Sequence, residues 1–167
     1  MIISWGIPTI KATPYGTPVS GQSEGGTFPT PVEGTTQLSS EKGDKMEALV
    51  EGGEPEAVKY KRGKYTLEFQ IRLGDGRVDA EGAVEESLDN DLALIDGTDG
   101  VVVGEWEVEL TPEDAAQGAP GFKIPRAVCS YTDNYSSADG IIRTYTFDSL
   151  KVEGSAQILW TNKKSSV

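Results

Sequence analysis

Histidine is missing from the chain altogether, and its 167 residues include a single cysteine, Cys129. The first absence removes Ser-His-Asp and Cys-His catalysis, histidine-bearing zinc sites, and the usual side-chain base near neutral pH. The second removes any intrachain disulfide and any thiolate cluster for a metal. Long apolar runs are also missing. The longest clean one is Val101-Val102-Val103, against roughly 20 residues needed to cross a bilayer. The opening Met1-Ile2-Ile3-Ser4-Trp5-Gly6 has neither a basic n-region nor an apolar h-region, so no secretory leader is expected, and the protein is expected to stay in the cytoplasm or to leave by a route that needs no cleavable signal. Positive charge is scarce: Lys+Arg 15 against Asp+Glu 27 gives a net charge of −12. That balance repels phosphates, so tight nucleic-acid binding is not expected. What remains, 37% hydrophobic and 25% charged, suits one folded domain able to bury a core without staples.

Five of the nine prolines (Pro8, Pro14, Pro18, Pro29, Pro31) fall in the first 31 residues, among Gly, Ser and Thr. Such a stretch cannot run as a helix or a long central strand, so residues 1–34 read as an extended arm with a short strand at Ile2–Trp5. Trp5 and Ile10, apolar in a polar context, ask for a docking partner. From residue 35 the pattern turns to period two, and 35–162 reads as one β domain, with 163–167 frayed. Met46, Ala48 and Val50 alternate with Lys45, Glu47 and Glu51, Gly52-Gly53 turns the chain, and Val58 and Tyr60 alternate with Lys59 and Lys61. The cleanest run places Tyr65, Leu67, Phe69, Ile71 and Leu73 at every odd position between polar residues, a strand with one face in a core.

Residues 79–92 form the one helix candidate: Val84, Leu88 and Leu92 recur at four-residue spacing, Asp79 is a cap, and Glu81, Glu85 and Glu86 lie in the early turns. Strands resume at Val101–Val103 and Glu105–Leu110. Phe122–Tyr131 is expected to be bent or edge-placed because Pro125 cannot donate to a ladder. A polar loop over 132–140 closes on Asp139-Gly140, Ile141–Phe147 returns with Ile141, Tyr145 and Phe147 on one face, and a last strand is expected near Ala156–Trp160. About eight strands and one short helix predict a mostly β protein, a small antiparallel sandwich or barrel.

No residue pattern points to an enzyme. Glu105, Glu107 and Glu109 share a strand face, and paired carboxylates hydrolyse glycosides without histidine. Three like charges at alternate positions are more simply a wet or interfacial face. The Asp-rich stretch 89–99 lacks the Gly at six and Glu at twelve of a calcium loop, and turn chemistry accounts for it. Cys129, with no adjacent base, reads as packing. No catalytic residue, cofactor or metal is expected.

Three stretches resemble a known family: Pro29-Thr30-Pro31-Val32-Glu33-Gly34-Thr35-Thr36-Gln37-Leu38-Ser39 leading into Lys42-Gly43-Asp44-Lys45; the hairpin Glu51-Gly52-Gly53-Glu54 through Lys64-Tyr65-Thr66-Leu67-Glu68-Phe69; and Tyr135-Ser136-Ser137-Ala138-Asp139-Gly140 through Tyr145-Thr146-Phe147. With the order of elements, they are similar to the tail-tube (major tail) proteins of long-tailed phages and prophages, whose fold is shared by type VI secretion tubes. The resemblance covers most of residues 29–152. It implies a virion protein whose hexameric rings stack into a hollow tube for DNA, with self, tape-measure, initiator or sheath proteins as partners, and assembly in the host cytoplasm. DNA then passes without specific binding, and lumen-facing carboxylates would repel its phosphates; Glu47, Glu51 and Glu68 are the candidates, against plain surface solubility. Two other classes stay open: a carbohydrate- or ligand-binding β-sandwich using Trp106, Tyr131 or Tyr135, and a carboxylate hydrolase with two carboxyls about 5–9.5 Å apart.

Overall fold

A computed structural model of the chain describes residues 4–22, 24–73 and 97–162. The helix expected over 79–92 lies outside these residues. Eleven strands form within them: β1 Thr9–Pro14, β2 Gly26–Thr27, β3 Gln37–Glu41, β4 Lys45–Leu49, β5 Pro55–Tyr60, β6 Lys64–Leu73, β7 Gly97–Thr98, β8 Val101–Thr111, β9 Gly121–Ser136, β10 Gly140–Ser149 and β11 Leu159–Thr161. Nine make one antiparallel sheet in the order β2-β1-β8-β9-β10-β6-β3, with β7 on β8 and β11 on β9; β4 and β5 pair with each other alone. The protein is mostly β and antiparallel, and the large sheet does not close into a barrel.

Alternation decides which side of the sheet is inside. Leu67, Phe69 and Ile71 of β6, Trp106 and Val108 of β8, and Tyr145 and Phe147 of β10 are all buried in one cluster. Their even or odd neighbours stay at the surface, as a period of two requires. The sheet is strongly curled. Along a flat sheet, β2 and β6 would lie about 24 Å apart, five steps of about 4.8 Å. Yet the ring of Phe28, which follows β2, packs 4.9 Å from Phe69 of β6 and 5.0 Å from Tyr145 of β10. The chain then crosses the open mouth: Val32 N donates to Gln70 O (2.8 Å), and Gln70 N donates to Thr35 Oγ1 (3.3 Å). Residues 28–36 therefore strap one edge of the curl to the other.

The amino-terminal segment differs from the expected arm. It is extended, but Thr9–Pro14 is a strand of the domain's own sheet, in register with β8 from Thr9↔Thr111 to Pro14↔Trp106. Ile10 and Ala12 are buried and Lys11 is exposed. Pro14 ends the strand and Pro8 precedes it, positions at which the missing donor is tolerated. No strand forms at Ser4-Trp5, and Trp5 is exposed.

Strand β9 is bent, as Pro125 requires, but it is central rather than at an edge. Trp106 pairs with Ala127 and Val108 with Ile124, so β9 carries one extra residue at Pro125-Arg126. This bulge shifts the inward phase from Phe122 and Ile124 to Ala127, Cys129 and Tyr131. The strand also runs on to Ser136, longer than expected, and a tight turn leads to Gly140 (φ 76°). Strand β8 is continuous through Gly104, whose φ of 87° accommodates a register shift. Ile141 shares its face with Tyr145 and Phe147, as expected, but at the end of the strand it is 44% exposed, while Arg143 between them is buried.

Candidate functional site

Two of the three outward carboxylates of β8 are spent on cross-strand ion pairs. Arg126 Nε donates to Glu105 Oε2 (2.6 Å) and its Nη2 to Glu105 Oε1 (2.7 Å), a two-pronged contact. Lys123 lies 2.9 Å from Glu107 and stands in register with Glu109, which faces Lys11 on its other side. Hydrogen bonding to Arg126 holds the Glu105 carboxyl below its ordinary range, and bonding to Glu107 raises Lys123. Two of the three carboxylates are thus held by a cation and the third faces two across the strands, a charge ladder on the outer face. Among the described residues no His/Cys/Asp/Glu group could hold a metal.

The aromatics weighed as a sugar platform do not converge. Trp106 and Tyr131 are core residues, 1% and 9% exposed, whereas Tyr135 is 76% exposed on the outer reach of β9. Tyr131 serves as a lid on a buried cation: the Arg143 guanidinium lies 4.0 Å from its ring centre. Burial works against that charge, but hydrogen bonds to Asp133 (Nε to Oδ1, 2.8 Å) and Tyr145 outweigh it, and Arg143 is held more firmly protonated. Cys129 is buried, and desolvation, then the charge of Asp148, pushes its thiol well up, so it is poorly nucleophilic.

The least ordinary feature is the β4–β5 hairpin. It projects from the body between β3 and β6, and every residue of both strands is exposed. Met46 (53%), Leu49 (60%), Val50, Val58 and Tyr60 are large apolar side chains left in water. A lone two-stranded hairpin is marginally stable, so it needs a cover. Its neck is a close crossing of two connections. A Cβ on Gly43 would lie 2.0 Å from Lys61 O, and one on Gly63 would lie 2.0 Å from Glu41 O. Lys61 N donates to Asp44 O across the crossing (2.9 Å). At the other end, Gly52 (φ 99°) and Gly53 (φ 83°) turn the chain where L side chains are strained.

The three sequence-derived acids separate. Glu47 lies on β4, ion-paired with Lys45; Glu51 opens the tip; Glu68 lies on β6 opposite Gln37, on the outer face of the main sheet. Two concavities were not anticipated. One, about 820 Å3, sits at the hairpin base and is lined by Lys42, Lys61, Arg62 and Lys64 together with the 154–158 segment. Its sequence signal is the run 59–64, four cations and no acid in an acidic chain. The other, about 800 Å3, is lined by Trp5, Pro8, Val32, Leu38, Phe122 and Trp160, among others. Phe122 and Trp160 meet edge to face at 5.7 Å there. These residues are far apart in sequence and gave no joint signal.

No protein-family model matches the chain, and no curated protein matches it at a significant level.

Proposed function

We propose that the chain is a structural subunit that assembles with copies of itself into rings, and that the rings stack into a hollow tube for DNA, as the resemblance to phage tail-tube proteins implies. The observation that carries this reading is the exposed β4–β5 hairpin. Its five large apolar residues, each about half exposed, are divided between its two faces, Met46 on one and Val58 and Tyr60 on the other, and together leave on the order of 400 Å2 of apolar surface in water, worth about 10 kcal/mol if both faces are covered at about 25 cal/mol per Å2. A hairpin apolar on both faces calls for neighbours on both sides, and the summed gain is of the order needed to offset the freedom lost on association. The five-residue edge strand β3, exposed along most of its length, offers a second rim that a neighbouring sheet would complete. In such a tube Glu68 is the best of the three candidate acids for the lumen, because it stands on the outer face of the main sheet rather than on the hairpin. The protein's place is then the virion tail, with assembly in the host cytoplasm and tape-measure, initiator or sheath proteins as neighbours.

The test is electron microscopy and sedimentation of the purified full chain over a range of concentrations. Rings or tubes, or cross-linked hexamers, are the expected result; a particle that stays monomeric at the highest concentration refutes the reading. The groove of Trp5, Phe122 and Trp160 favours a second reading, a carbohydrate- or ligand-binding module, since aromatic faces stack on sugar rings. Glycan-array binding lost in Trp160→Ala, with no self-assembly, would select it.

A further inference from the structure

Charge is sorted along the hairpin in a way that self-assembly alone does not require. Between Met46 and Val58 there is no Lys or Arg, and the acids are Glu47, Glu51, Glu54 and Glu56. Between Ala57 and Thr66 there is no acid, and the cations are Lys59, Lys61, Arg62 and Lys64. We infer that the concave basic site at the base of the hairpin receives the acidic hairpin tip of a second copy of this chain. This rests on the self-assembly reading and adds to it the surface and the chemistry of one contact.

The receiving site is concave, about 820 Å3, and brings Lys42, Lys61, Arg62 and Lys64 to one place. Its one lining acid, Glu41, is already 3.4 Å from Lys64, and the Lys42 ammonium lies 4.0 Å from the Tyr60 ring centre. No carboxylate of the described residues comes within ion-pair distance of Lys61 or Arg62, which are exposed. An uncompensated cationic hollow on a molecule of net charge −12 calls for an anionic occupant.

The tip of the same molecule cannot be that occupant. The six-residue strand β5 holds tip and base apart by about 20 Å, at about 3.3 Å per residue. That exceeds the Debye length of about 8 Å at physiological salt, so the two clusters barely feel one another within one copy. Between copies the match is direct: Glu51 and Glu54 flank the two left-handed glycines and lead the hairpin, with Pro55 stiffening it. Tip and base are different surfaces, so the contact is head-to-tail and leaves a free tip and a free base for the next copy. Nucleic-acid phosphates carry the same sign, but the remaining acidic surface repels a polyanion far more than a short acidic turn.

The test uses full-length protein and two charge-reversal variants, one carrying Lys61→Glu and Arg62→Glu, the other Glu51→Lys and Glu54→Lys. All substituted residues are exposed, and unchanged circular dichroism and urea midpoints establish that both variants fold. Sedimentation at low and high salt is expected to show association of the wild type that weakens with salt, and association at least about tenfold weaker in each variant alone. Mixed, the variants should associate again, because the intact tip of one meets the intact base of the other, and the two reversed halves are themselves of opposite charge. Variants that associate as well as the wild type would overturn the inference while leaving self-assembly standing. So would variants that remain apart when mixed. A wild type that is monomeric at low salt at every concentration would remove both readings. Binding of a fluorescent oligonucleotide that Lys61→Glu/Arg62→Glu abolishes, with self-association untouched, would assign the hollow to nucleic acid instead.

Discussion

Replacing Phe28 by alanine asks whether the proline-rich amino-terminal segment is part of the domain or an appendage. The ring is 6% exposed and meets Phe69, Tyr145 and Phe147 at centroid distances of 4.9, 5.0 and 6.2 Å. Truncation removes roughly 150 Å2 of buried apolar area, about 4 kcal/mol at about 25 cal/mol per Å2. The edge-to-face contacts add to that figure and partial collapse of the hole subtracts, which places the loss at about 3–5 kcal/mol. Urea unfolding followed by tryptophan fluorescence is the assay, since Trp106 lies in the same core. The midpoint should fall with the denaturant slope unchanged, because strap and sheet unfold as one unit. A loss below about 0.5 kcal/mol, the ordinary range for surface sites, would refute the description of residues 28–36 as a structural strap.

Four further outcomes follow from particular contacts. Gly43→Ala forces a Cβ against the Lys61 carbonyl, and since both partners are backbone the neck must shift; self-association should weaken more than the urea midpoint moves, as sedimentation beside unfolding would show. Replacing Leu49 and Val58 with serine should abolish assembly in electron micrographs without lowering the melting temperature, because both side chains are already in water. The folded Glu105 carboxyl titrates below its unfolded value, so its pairing with Arg126 contributes stability above the usual carboxylate range and loses it as pH falls through the depressed folded value. The stability difference between wild type and Glu105→Gln should therefore be present at neutral pH and vanish in acid, in urea titrations run stepwise downward. Arg143→Lys keeps the charge but not the fork that grips Asp133, and should cost on the order of 1–3 kcal/mol.

Local pattern made some elements legible and left others hidden. Strand β6 was readable to the residue because ten positions alternate without a break, which leaves one register that buries Leu67, Phe69 and Ile71. The alternation Thr9-Ile10-Lys11-Ala12-Thr13 is equally present, but Pro8 and Pro14 on either side of it mask it. What places it in the sheet is β8, roughly a hundred residues further on. The reach of β9 past Tyr131 was hidden for another reason: its last residues are polar and exposed, held by pairing with β10 rather than by burial. Nothing in the sequence marks Arg143 as buried, since that depends on Tyr131 and Asp133 arriving from the neighbouring strand. The acids at 47, 51 and 68 each lie in the polar phase of an alternating run. The neck at Gly43 and Gly63 sends the first two away from the body, and phase alone cannot show a change of direction. The cationic run 59–64 is plain in the sequence, but only the fold of the neck brings it beside Lys42 in one hollow.

The pairing of Ile10 with Leu110 has a consequence for how the molecule is made. A ribosome releases the first strand long before its partner exists, so the early segment waits, unpaired, while roughly a hundred residues emerge. Closure of that ladder is among the last events of folding and, being so non-local, among the slowest. During the wait, the β8 of a neighbour that has not yet docked its own first strand offers the same set of hydrogen-bonding groups as the chain's own. Synthesis on crowded polysomes thus gives this polypeptide a route to exchanged strands, in which two molecules trade their leading segments before either has completed itself.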